Sequence, residues 1–166
     1  MTPQTLIGVI GSRDCDADTY ERARRVGELL AKGGFGLICG GLSGVMEAAC
    51  KGASEAGGTT VGVLPGEGTD SANPYVQLRI ATGMGIARNV IIVRSSAAVI
   101  ALSGGAGTLS EIAHCLQLGV PVVGLNTHDV SPEIIQVSTP EEAVERAAAL
   151  AGRRDRRTPE TGDNPP

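Results

Sequence analysis

Ala98-Val-Ile-Ala-Leu-Ser-Gly-Gly-Ala-Gly-Thr-Leu-Ser-Glu-Ile-Ala-His-Cys-Leu-Gln-Leu118 decides the fold. Ala98 to Leu102 is an apolar run without polar alternation, so it reads as a strand buried on both faces. Gly104 to Thr108 is a glycine turn, and Leu109 to Leu118 reads as a helix. Strand, glycine turn and helix make the first part of a parallel βαβ unit. Downstream, Val120 to Leu125 is a strand with Pro121 at its start, and Ile134 to Val137 is a short one. Thr139 then reads as an N-cap, Pro140 as the first helical residue and Glu142 as the residue closing a capping box. From Gly152 the chain turns polar and proline-bearing, which predicts a disordered tail over 152–166.

Upstream the alternation continues. Thr5 to Ile10 is a strand ending in Gly11-Ser12. Thr19 to Lys32 carries Ala23, Val26, Leu29 and Leu30 at helical spacing, and Gly33-Gly34 stops it. Phe35 to Cys39 is the second strand, Gly40 to Gly44 its turn, and Val45 to Ala56 the next helix. Thr59 to Leu64 is the third strand, followed by a polar loop from Glu67 to Tyr75. Val76 to Ala81 is a shorter fourth strand, and Gly85 to Ser95 a helix. Strands that do not alternate need helices on both faces of their sheet. Residues 1–151 are therefore expected to form a single α/β domain, a doubly wound, mostly parallel Rossmann-like sheet flanked by helices.

Ligands of such sheets bind outside the carboxyl ends of the strands. Three glycine turns lie there: Gly11-Ser12-Arg13, Gly40-Gly41-Leu42-Ser43-Gly44 and Gly104-Gly105-Ala106-Gly107-Thr108. Glycine lets an anion approach the backbone, and the following helix start offers free N–H groups and the positive end of its dipole. The expected phosphate-binding residues are Gly11, Ser12, Gly40, Gly41, Gly44, Gly104, Gly105, Gly107 and Thr108. The third turn is the foremost, because Thr108 adds a hydroxyl. None is a Walker loop or a G-x-G-x-x-G with its acidic partner, so ATP hydrolysis and ordinary NAD binding are disfavoured.

Composition narrows the partners. A net charge of −4 argues against nucleic acid, which demands a basic face. No apolar stretch is long enough to cross a membrane. The start lacks a basic region and a cleavage site, so a cytoplasmic location is expected. Cys15, Cys39, Cys50 and Cys115 include no C-x-x-C pair and read as reduced thiols. His114 with Cys115, and His128, do not reach zinc-site spacing, and the single Glu111-x-x-His114 lacks the second copy a di-iron site needs, so no metal is expected.

Gly104 to Glu111 resembles the P-G-G-x-G-T-x-x-E signature of the LONELY GUY family, long misannotated as lysine decarboxylases, and Gly40 to Met46 resembles its other glycine motif. Gly44 to Ala48, Gly52-Ala53, Gly83 to Asn89, Val93-Arg94-Ser95 and Gly119 to Val123 are similar to a sister group that includes molybdenum cofactor carrier proteins. The resemblance covers roughly residues 5–150. It implies the Rossmann-like fold, a homodimer or higher homo-oligomer, and a phosphorylated small molecule as partner. Two functions follow from it. The first is binding or carrying a phosphate-bearing nucleotide or molybdopterin-type cofactor, with no cofactor needed for folding. The alternative is phosphoribohydrolase activity on nucleoside 5′-monophosphates, cytokinin nucleotides or AMP, for which the resemblance points to Arg88 and Glu111 as catalytic. Ser103 stands where the signature has proline, Ser110 replaces the first of the usual glutamate pair, and Asn89 follows Arg88 where the enzymes commonly have lysine. These differences place the chain nearer the carriers.

The residues themselves bear both readings. An arginine can clamp phosphate bidentately. A carboxylate in the first turn of a helix beside a phosphate can stabilise an oxocarbenium-like state or position water; it can also simply complement the helix dipole. Arg88 could equally be an ion-paired helix residue. Arg13 could touch a phosphate or base, or be an ordinary loop arginine, and Arg94 ranks below Arg88. Asn73 and Tyr75 lie in the longest loop and suit a lid, a stacking ring or a partner contact. The apolar run from Ile112 to Leu118 offers a surface for a two-fold contact.

Overall fold

The computed structural model describes residues 3–154. Seven strands form one sheet: β1 (Leu6–Gly11), β2 (Gly36–Cys39), β3 (Thr60–Leu64), β4 (Leu78–Ala81), β5 (Ala98–Ser103), β6 (Val122–Thr127) and β7 (Ile135–Val137). Their order is β4-β3-β2-β1-β5-β6-β7, and every pairing is parallel. Five α-helices accompany them: α1 (Ala17–Lys32), α2 (Val45–Glu55), α3 (Asn89–Arg94), α4 (Ala106–Leu118) and α5 (Pro140–Arg154). The chain is a single α/β domain with a doubly wound Rossmann-like sheet.

Successive strand residues feed opposite cores, as the period of two requires. Ile7 and Val9 of β1, with Ala98, Ile100 and Leu102 of β5, join buried residues of α1, α2 and α5. Ile10, Val99 and Ala101 join Ile92 and Val93 of α3 and Ile112 and Cys115 of α4. With both faces covered, a polar alternation would have buried unpaired groups, which is why the strands read as plain apolar runs. On the first face α1 and α2 touch backbone to backbone. A Cβ on Gly27 would lie 1.9 Å from the Ala49 carbonyl oxygen, and one on Gly52 would lie 1.8 Å from that of Arg24.

The chain builds outward from β1 through β2 and β3 to β4, then crosses to the other side of β1 to add β5. The β1–β5 boundary is therefore the topological switch point, where adjacent connections leave in opposite directions and open a crevice.

Several boundaries differ from the sequence reading, each for a local reason. The first helix starts at Ala17 because the Asp16 carboxylate caps it, accepting from the Thr19 N–H at 2.8 Å. The fourth strand starts at Leu78, since Val76 turns into the core and Gln77 donates its N–H to the Thr60 hydroxyl. The helix expected over Gly85–Ser95 is split into a 3₁₀ turn, Gly85–Arg88, and α3. The helix after β5 begins at Ala106, so Ala106, Gly107 and Thr108 of the expected glycine turn belong to its first helical turn. Thr139 caps α5 by accepting from the Glu142 N–H, but the Glu142 carboxylate reaches back to the N–H of Ser138. That helix runs through Gly152 to Arg154, because Ala143, Ala147 and Ala151 keep one buried face in register. The rest of the expected tail lies outside the described residues. Within the apolar run expected to offer a two-fold surface, Ile112 and Cys115 are fully buried in this domain's own core, Leu116 and Leu118 are half-buried and Ala113 is exposed.

Candidate functional site

A cavity of about 260 Å³ opens at the switch point. Gly11, Ser12 and Arg13 line it from the end of β1, and Met46 from α2. Ile86, Arg88 and Asn89 come from the 3₁₀ turn and the start of α3, and Gly105, Gly107, Thr108 and Glu111 from the start of α4. The crevice thus gathers residues that are a hundred positions apart in sequence.

The floor is the N-terminus of α4. Gly105 is its N-cap, and no side chain caps it. The first N–H groups of an α-helix have no partner within the helix, so those of Ala106, Gly107 and Thr108 face outward with the positive end of the dipole behind them. A Cβ on Gly105 or Gly107 would meet nothing within 4 Å, so the space over this turn is open. Gly104 is different. Its φ is +126°, and a Cβ there would strike the Thr108 side chain at 2.4 Å. It makes the turn and stays out of the lining. Ser103 precedes it at φ +53°. A proline ring holds φ near −65°, so the signature's proline could not sit in this backbone unchanged.

Gly40, Gly41 and Gly44 do not line the cavity; they shape its surroundings. A Cβ on Gly40 would lie 2.7 Å from Nη2 of Arg88, one on Gly41 would press on Leu64, and one on Gly44 would strike the backbone of Ser12 and Arg13. The Ser12 carbonyl already accepts from the Val45 N–H at 3.0 Å. The start of α2 is thus occupied by the chain itself, whereas the start of α4 is not.

Arg88 is 6 % exposed, yet its guanidinium is held by neutral acceptors. Nε donates to the Val63 carbonyl at 2.8 Å, Nη2 to that of Gly40 at 3.4 Å, and Nη1 to Oδ1 of Asn89. Glu111 is 7 % exposed. No hydrogen bond or ion pair reaches its carboxyl among the described residues. Burial pushes its pKa up to about 7, against the pull of the nearby Arg88 charge. Burial lowers the pKa of Arg88 in turn, and Glu111 works the other way. The pair is a desolvated cation and a carboxyl poised to gain or lose a proton near neutrality.

Asn89 and Ser110, two of the three departures from the enzyme signature, touch each other. Asn89 Nδ2 donates to Ser110 Oγ at 3.2 Å, and that hydroxyl donates to the Gly107 carbonyl at 2.7 Å. Arg94 is exposed and away from the lining. Asn73 is buried as a loop tie, donating to the Leu42 carbonyl and accepting from the Tyr75 N–H, and Tyr75 sits under Lys51. Met46 and Ile86 fall in stretches that carry the family resemblance, but nothing in the sequence marks them as site residues. Both look like ordinary apolar residues, and only the approach of α2 and the 3₁₀ turn to α4 brings them to the rim.

The model of the SLOG cluster4 family matches residues 4–151. An uncharacterised protein of Archaeoglobus fulgidus is 53% identical over 138 residues, 83% of this chain and 91% of that one. The molybdenum cofactor binding protein of Rippkaea orientalis superimposes with a TM-score of 0.85 at 35% identity, covering 90% of this chain and 99% of that one. The molybdenum cofactor carrier protein of Chlamydomonas reinhardtii does so with 0.83 at 33%, covering 90% and 99%. The family match takes in every strand and the whole of the switch-point cavity: the chain belongs to the SLOG cluster4 family.

Proposed function

We propose that this chain binds and carries a phosphate-bearing small molecule, a molybdopterin-type cofactor or a nucleoside monophosphate, without converting it. One observation carries the reading: the uncapped start of α4 faces a cavity beside the buried Arg88, whose hydrogen-bond partners are all neutral. The phosphate would lie over Gly105, Gly107 and Thr108, with Gly11, Ser12 and Arg13 on the opposite wall. Met46 and Ile86 would contact the apolar part. The similarity to molybdenum cofactor carrier and binding proteins supports a cofactor of that kind. Sites that bury a whole ligand measure roughly 300–1,000 Å³. This one is smaller, so a pterin or base would project past Ile86, which is itself 85 % exposed. Partial enclosure suits a ligand that must be handed on.

A homo-oligomer belongs to the same proposal. Leu78, Ile80, Met84 and Ile86 are exposed apolar residues on β4 and the segment that follows it. Leu78 and Ile80 pair in register with Val61 and Val63, so they continue a core face past the last covering helix.

A second reading, hydrolysis of the N-glycosidic bond of nucleoside 5′-monophosphates, is favoured by the buried Glu111 carboxyl. A pKa near neutrality is what a general acid–base group needs. Incubating the protein with AMP and with molybdenum cofactor, then desalting, separates the cases. Intact ligand retained on the protein supports the carrier, robust release of adenine moves the conclusion to the hydrolase, and retention of neither ligand with no adenine released contradicts both.

A further inference from the structure

We propose that Asn89 is a positioning residue that keeps the charge of Arg88 available to a dianionic ligand. This rests on the reading of the cavity as a phosphate site. Asn89 is 4 % exposed and lies between the two halves of the lining. Its carbonyl oxygen accepts from Arg88, and its amide donates at 3.2 Å to Ser110, whose hydroxyl donates at 2.7 Å to the Gly107 carbonyl. One side chain therefore fixes the guanidinium relative to the first turn of α4.

The chemistry of the partner matters as much as its place. A buried cation is ordinarily paired with a carboxylate. Asparagine has the shape of aspartate without its charge, and the other acceptors of Arg88 are the backbone carbonyls of Val63 and Gly40. The described ion pairs lie elsewhere, on α1 and its neighbours. Glu111 is the carboxyl whose charge reaches Arg88. The amide thus holds the arginine still and leaves its charge to the cavity.

Two substitutions separate geometry from charge. Asn89→Asp preserves size and gives Arg88 a counter-charge, and gives up the bond to Ser110, since a carboxylate cannot donate. Asn89→Ala removes the tie and leaves the charge. The probe is inorganic phosphate, titrated by ³¹P NMR, with thermal melting of the same samples. Affinity is expected to fall in the order wild type, Asn89→Ala, Asn89→Asp, with the aspartate variant weaker by about tenfold or more, as one opposing charge within the site implies. Melting is expected to follow a different order, with Asn89→Asp above Asn89→Ala, because its ion pair with Arg88 offsets the bond to Ser110 that both variants lose. The aspartate variant should also bind with a shallower salt dependence. Affinities that track melting, an aspartate variant that does not fold, or one that binds phosphate as wild type does would overturn the inference. If wild type itself binds no phosphate, the phosphate reading falls and this inference with it.

Discussion

Glu111 is the residue on which the energetics of the site turn. Its carboxyl ordinarily titrates at 4.5 and is pushed up to about 7 by burial. The folded protein therefore holds this proton more tightly than the unfolded chain does. The contribution of Glu111 to stability is fully present below the unfolded value and is lost as pH rises through about 7. Glu111→Gln removes that loss. It should match wild type near pH 4 and exceed it near pH 8 by up to ~3 kcal/mol. Denaturation curves over that range check this, and parallel pH profiles for the two proteins would contradict it. For a carrier the same substitution changes ligand affinity only; for a hydrolase it would cost turnover by roughly 10²–10⁴-fold. Arg88 and Glu111 were legible through the resemblance to a family signature, and both line the cavity. Arg13 stood out as part of the first glycine turn, whereas Met46 and Ile86 carry no local signal of a site role, and the structural part played by Asn89 depends on where Ser110 comes to rest.

Among the elements, α4 sets the site and the α1–α2 pair sets the scaffold. Gly105 occupies an N-cap position at φ −110°, an ordinary value for any residue, with open space beside it. Aspartate is a favoured N-cap, so Gly105→Asp should leave melting unchanged or raise it by the few tenths of a kcal/mol that separate the two caps. Its carboxylate would occupy the place proposed for the phosphate. Gly27→Ala behaves oppositely. A methyl group there cannot fit 1.9 Å from a backbone oxygen, so the helices must part. We expect a loss of about 2 kcal/mol or more from overpacking, read by urea denaturation; a variant as stable as wild type would show that α1 and α2 are looser than they stand here. The strands were legible to within two residues, since an apolar run bounded by glycine or proline has few alternatives; β6 begins and ends two residues later than expected. Helix starts were less so. Ala106-Gly107-Thr108 has the composition of a turn and becomes helix only because α4 packs Thr108, Ile112 and Cys115 inward. The split after Gly85 likewise has no sequence mark.

At the scale of the molecule, the doubly wound order makes a crevice at the switch point, and Arg88 and the start of α4 face it. The exposed stripe of Leu78, Ile80, Met84 and Ile86 predicts association. Light scattering at micromolar concentration should give a mass above that of one chain, reduced by Leu78→Lys with Ile80→Lys; a monomer for wild type would refute it. The family match covers every strand of the fold, and the similar solved structures include molybdenum cofactor binding and carrier proteins. The central claim is that the start of α4 holds the phosphate of a ligand that stays intact. Its most direct test is equilibrium dialysis of wild type and Gly105→Asp against molybdenum cofactor, with the pterin recovered and counted. Wild type should retain the cofactor unchanged, and the folded variant should retain at most about a tenth as much, the loss expected of a like charge placed in the anion site. A folded variant that retains as much as wild type would contradict the account.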